Sequence, residues 1–156
     1  MNPSFMARAL ELALTNVRSG QGGPFGAVVV KDGVILGEGA NSVIPLRDPT
    51  AHAEVMALRR ACANLGVYHL PGAELYTSCE PCPMCLGAIY WAHLDRVYYA
   101  ATKEQAAEAE FDDSLIYRQI EIPPPQRSIP MLHVELGDEA LRPFQEWLKK
   151  PDRIRY

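Results

Sequence analysis

Helix-like and strand-like segments alternate along this chain, and that alternation limits its architecture more than any other feature. Ser4 to Arg18 sets Phe5, Ala9, Leu12, Ala13 and Asn16 to Val17 near helical spacing, with Gly20 available to end the helix. Beyond the flexible Gly20-Gln21-Gly22-Gly23-Pro24 stretch, two β-rich runs, Phe25 to Lys31 and Val34 to Ala40, flank Asp32-Gly33 and predict a hairpin. Ala51 to Leu65 reads as a helix stopped by Gly66, and Asp48-Pro49-Thr50 offers capping groups before it. Glu74 to Thr77 then reads as a short strand, Pro83 to Ala92 as a helix opened by proline, and Arg96 to Ala101 as another strand. Lys103 to Ala109 is helix-prone, and Pro123-Pro124-Pro125 makes Glu121 to Pro130 extended or loop-like. Met131 to Leu136 is the expected last strand and Glu139 to Lys150 the last helix, interrupted early by Pro143. The expected fold is α/β, a three-layer α/β/α sandwich around a mixed five-stranded sheet. With 156 residues and no repeat, low-complexity block or dividing linker, residues 1–156 read as a single domain, ending in a Pro151 to Tyr156 tail.

Charge and cysteine usage narrow the function. Lys plus Arg number 15 against 19 Asp plus Glu, a net charge of −4, and the positive residues are scattered. Nonspecific binding to a phosphate backbone is therefore not expected. No basic segment leads into an apolar block, and no run reaches the roughly 20 apolar residues of a membrane span, so a cytoplasmic protein is expected. Of the four cysteines, Cys79, Cys82 and Cys85 fall within seven residues of one another, too close for an obvious disulfide framework. Metal chemistry in a reducing compartment fits better.

His52-Ala53-Glu54 and Pro81-Cys82-Pro83-Met84-Cys85 each stand at a predicted helix start. Cys82 and Cys85 share one helical face, where backbone dipoles and free N–H groups favour thiolates. One imidazole and two thiolates suit a catalytic zinc, which takes three protein ligands, keeps an open position and lowers the pKa of its water from about 15.7 to about 7. Glu54 need not bind the metal and is free to carry protons between water and substrate. Other readings of the same residues are a redox dithiol, an iron–sulfur run, or a closed four-ligand site completed by Cys79 or Cys62. The iron–sulfur pattern lacks its further cysteine, and a closed site leaves Glu54 without a purpose.

The signature H-x-E with P-C-x-x-C resembles that of the cytidine deaminase superfamily. The longer run Tyr76-Thr77-Ser78-Cys79-Glu80-Pro81-Cys82-Pro83-Met84-Cys85-Leu86-Gly87-Ala88-Ile89-Tyr90-Trp91-Ala92 resembles its bacterial guanine deaminase branch. Gly23 to Val30, Asp48 to Glu54, Ala109 to Asp113 and the terminal tyrosine are similar too. The resemblance implies a cytidine-deaminase fold and hydrolysis of guanine to xanthine and ammonia, with zinc-activated hydroxide attacking C2. It further implies His52, Cys82 and Cys85 as zinc ligands, Glu54 as proton shuttle, and Phe25, Asn41, Ala53, Trp91 and Asp113 around a purine base. Asp113 is the candidate for protonating the departing amine. The resemblance also implies a homodimer in which the tail is exchanged and Tyr156 reaches the partner's pocket, with Ile122 to Pro125 or the segment after it as hinge.

The residues themselves leave alternatives open. Phe25 also reads as core, Asn41 as a turn residue, Trp91 as simple packing, and Asp113 as a loop residue that can trade places with Asp112. By composition the tail reads as a frayed terminus. Rival functions are a tRNA adenosine deaminase, another free-base or aminotriazine deaminase, and a noncatalytic module that zinc merely stabilises.

Overall fold

At the hairpin that Asp32-Gly33 marks, both turn residues take positive φ, 51° and 78°. That pair suits a two-residue turn whose twist matches its strands. It joins β1 (Gly26–Lys31) to β2 (Val34–Ala40) in antiparallel register, and β1 also pairs antiparallel with β3 (Glu74–Cys79). A crossover through α4 (Pro83–Trp91) brings β4 (Arg96–Ala101) parallel to β3, giving the sheet order β2-β1-β3-β4. The computed structural model describes residues 1–155, in two compact units: residues 1–113, which contain this sheet, and a second beginning at Ser114.

The first unit is layered as expected. Ala27 and Val29 of β1 face a core with Ala57, Leu58 and Ala61 of α3 (Ala53–Leu65) and Ile89 of α4. Val28 and Val30, on the opposite face, pack with Tyr76 against Phe5, Met6 and Leu12 of α1 (Pro3–Arg18). Both faces of the sheet are covered, which is why β1 is a continuous apolar run and not an alternating one.

The close seat of α3 on β2 fixes the height of the helix start that carries His52. A methyl group on Gly37 would stand 2.5 Å from the carbonyl oxygen of Ala57, and one on Gly39 would collide with that of Ala53. Facing these glycines, Ala53, Ala57 and Ala61 are completely buried. Gly39→Ala should therefore push α3 outward, at a cost of about 1–3 kcal/mol or more. Thermal unfolding is expected to show a lower Tm; an unchanged Tm would contradict this account of the packing.

Several boundaries differ from expectation. The sheet has four strands and not five, because Met131 to Leu136 forms none. Leu132, Val134 and Leu136 do alternate, but they are exposed and find no ladder partner among the described residues; alternation without a partner strand makes no sheet. α3 begins at Ala53, two residues later than predicted, because Asp48 does not cap it. The Asp48 carboxylate instead accepts from the backbone N–H of Thr50 at 2.8 Å and from its hydroxyl at 2.6 Å, closing a local turn. The short helix α2 (Val43–Leu46) lies between, and α5 (Lys103–Glu108) starts on a Thr102–Gln105 capping box.

In the second unit, α6 (Ser114–Glu121) was not anticipated, and α7 (Asp138–Lys149) runs through Pro143 without interruption. The proline removes one N–H, and on an exposed helix the carbonyl left over can face solvent. Arg153 turns the tail back, donating to the carbonyls of Leu148 at 3.1 Å and Lys150 at 3.0 Å. Tyr156 lies outside the described residues. No helix among them is long and apolar enough to cross a membrane.

Candidate metal centre and active site

His52 and Cys82 occupy the same position on two different helices. Each is an N-cap with extended backbone, φ −69° and ψ 157° for His52 and φ −64° and ψ 168° for Cys82, and neither side chain caps its own helix. Both are therefore left to point at one another. Pro83 fits the first turn of α4 because its fixed φ suits that position and its missing N–H is not needed there, and Cys85 follows one turn on from Cys82.

His52 Nδ1 lies 3.6 Å from Cys82 Sγ and 3.5 Å from Cys85 Sγ. Around a tetrahedral zinc with bonds near 2.3 Å to sulfur and 2.0 Å to nitrogen, a sulfur and a nitrogen stand about 3.5 Å apart. The donor set fits that ion in spacing and in chemistry. Cys82 is held down to about 4 by the Cys85 thiol and by the His52 ring, while Cys85, buried beside that sulfur, is pushed up. Two thiols this close share one negative charge, and a divalent cation allows both to ionise. Among the described residues no fourth ligating side chain joins the group. The Cys79 thiol is turned away to the carbonyl of Thr102 at 3.7 Å, which counts against the closed four-ligand reading.

Glu54 sits beside this group and outside it. Only 5% exposed, it receives the Thr77 hydroxyl at 3.4 Å on one oxygen and the Cys85 thiol at 3.5 Å on the other. Burial, and after it the negative charge of Cys82, push its pKa up, so this carboxyl group holds a proton more readily than an exposed glutamate does. Asp113 is also raised, by burial and then by the charge of Cys82, so it senses the same centre.

The remaining sequence-derived candidates are distributed unevenly. Asn41 is 9% exposed, and its side-chain amide has no hydrogen bond among the described residues. Its neighbour Ser42 donates its backbone N–H to the carbonyl of Ala51 at 2.8 Å, directly before His52. Phe25 packs on the core around Ala27 and meets Phe111 edge to face, ring centroids 4.9 Å apart, so its core reading holds whether or not it also meets a base. Ala53 is completely buried at the first turn of α3. Trp91 is 68% exposed at the opposite end of α4, about 13 Å along the helix from Cys82.

Three residues of this region were not assigned a place in it by the sequence. Thr77, on the adjoining strand, fixes the Glu54 carboxylate; Asn16 binds the loops that carry Phe25 and Asn41; Glu80 accepts the backbone N–H of Lys103 at 3.2 Å and so secures the start of α5. No local pattern marks them, because each acts on a segment brought near only by folding.

Comparison with known proteins agrees with this geometry. Residues 2–101 match the model of the cytidine and deoxycytidylate deaminase zinc-binding region. Guanine deaminase of Bacillus subtilis is 56% identical over 98% of this chain and 97% of its own, and the solved structure of that enzyme superposes with a TM-score of 0.97 at 55% identity, covering 100% of this chain and 99% of the other. A solved guanine deaminase of Nitrosomonas europaea is 36% identical, covers 72% of this chain and 65% of its own, and gives a TM-score of 0.68. The tRNA-specific adenosine deaminase of Agrobacterium fabrum is 43% identical over 65% of this chain and 68% of its own. The match to the family model spans both helix starts and the sheet beneath them: the chain belongs to the zinc-binding cytidine and deoxycytidylate deaminase family, and zinc is its cofactor.

Proposed function

We propose that this chain is a guanine deaminase, hydrolysing guanine to xanthine and ammonia. The observation that carries the hydrolytic reading is the buried Glu54 carboxylate in contact with, but not part of, the His52, Cys82 and Cys85 donor group. Guanine is favoured over a tRNA adenosine because the likeness to the Bacillus subtilis enzyme runs through 98% of the chain, whereas that to the Agrobacterium fabrum enzyme covers 65%. The net charge of −4 also speaks against a tRNA surface.

His52, Cys82 and Cys85 hold the zinc. When bound, the metal supplies Lewis-acid activation of water at neutral pH. Glu54 takes a proton from the attacking water and delivers it to the ring nitrogen beside C2. Asp113 delivers a proton to the amine as it leaves and regains one from the C2 hydroxyl as that group becomes the carbonyl, so guanine and water become xanthine and ammonia. Thr77 keeps the Glu54 carboxylate in one orientation throughout. The Asn41 amide and the backbone at Ala53 read the polar edge of the base, Phe25 supports its face, and Trp91 and Tyr156 close over it. The same reading includes a cytoplasmic homodimer with Pro151 to Tyr156 exchanged between subunits, so that each Tyr156 serves its partner's pocket.

Ammonia release measured with guanine, adenine, cytosine, a single-stranded oligonucleotide and tRNA tests the substrate. Turnover is expected with guanine. Turnover of tRNA without guanine would favour the adenosine deaminase reading, and zinc-loaded protein inert on every substrate would favour a stabilised binding module.

A further inference from the structure

We infer that Asn16 is a positioning residue for the base pocket, clamping the two segments that carry Phe25 and Asn41. This rests on the proposed function, which puts those two residues against the substrate. Asn16 belongs to α1, a helix with no residue in the metal centre, yet its side chain is 7% exposed and spends both amide hydrogens on pocket segments. Nδ2 donates to the carbonyl of Gly23 at 2.9 Å and to that of Asn41 at 2.9 Å.

Those carbonyls belong to one connected backbone path. The N–H of Phe25 donates to Gly23 at 2.8 Å, the N–H of Asn41 donates to Phe25 at 3.0 Å, and the next N–H, from Ser42, reaches Ala51 beside His52. The clamp therefore ties α1, the Phe25 loop and Asn41 to the segment that carries a zinc ligand. The space around it is filled: a methyl on Gly22 would lie 2.6 Å from the Asn41 carbonyl oxygen and 3.0 Å from Asn16 Nδ2. A second feature shows why such a clamp is needed. The Asn41 side-chain amide makes no hydrogen bond of its own among the described residues, so its place depends on packing and on the backbone that Asn16 and Phe25 hold.

Asn16→Leu keeps the volume and removes both donors. In the zinc-loaded full chain it is expected to raise KM for guanine about tenfold or more, with kcat changed less than about threefold, as for a base held askew over an intact reaction centre. In an Asn41→Ala background the same change should raise KM by a smaller factor, because one of the two positioned residues is gone and only Phe25 still feels the loss. An unchanged KM, or two effects that simply multiply, would overturn the inference. Hydrogen exchange separates it from the substrate assignment. The Phe25 and Asn41 amides should exchange at least about tenfold faster in Asn16→Leu, and in the milder Asn16→Ser, while those of Val28 and Val29 stay protected. Uniform acceleration, or none, would mean that Asn16 only stabilises the fold. If the wild-type chain leaves guanine untouched, the proposed function fails and the exchange result alone decides the clamp.

Discussion

Glu54→Gln is expected to lower turnover about 10³-fold while zinc remains bound. The glutamine matches the glutamate in shape, so the Thr77 contact at 3.4 Å and the packing that leaves this residue 5% exposed persist. What disappears is a group that takes a proton and returns it. Burial raises the Glu54 pKa, so the carboxyl group holds its proton to higher pH than an exposed glutamate does, and an amide has no such equilibrium. Steady-state kinetics with metal analysis on the same preparation provide the check. A variant with full zinc and wild-type turnover would remove Glu54 from the chemistry and leave a metal-stabilised scaffold.

Loss of a ligand should cost still more. Cys85→Ala removes a buried sulfur that stands 3.5 Å from His52 Nδ1 and touches Glu54 at the same distance. A partner of a ligand commonly contributes 10- to 100-fold to metal affinity, so removing the ligand itself is expected to leave the dialysed protein with little zinc and activity at background. Because α4 packs through Ile89 into the core shared with Leu58 and Leu75, the fold of the first unit should survive better than its metal. Circular dichroism and zinc content read the two separately. Retention of both zinc and turnover would mean that Cys85 is not a ligand.

Signals that are local in the chain were legible before folding. Asp32-Gly33 forces a tight turn, Gly66 closes α3 with a left-handed φ of 66°, and Pro83 opens α4, so the first unit follows the expected order closely. The metal donors were legible for the same reason: a three-residue spacing on one helix start, and a histidine followed by a glutamate on another. What depends on tertiary partners was not. Met131 to Leu136 has the alternation of a strand and no strand beside it among the described residues. Thr77 and Asn16 matter through contacts with Glu54 and Asn41, 23 and 25 positions away, which no short window reveals. Trp91 stands at the end of α4 opposite Cys82, a separation that its place in the motif does not convey.

X-ray absorption at the zinc edge of the wild-type protein tests the three-ligand centre most directly. The expected spectrum contains two sulfurs near 2.3 Å, one imidazole nitrogen near 2.0 Å and one light scatterer that exchanges with added inhibitor or solvent anions. Three sulfurs, or two imidazoles, would fill the position that water needs and contradict the account.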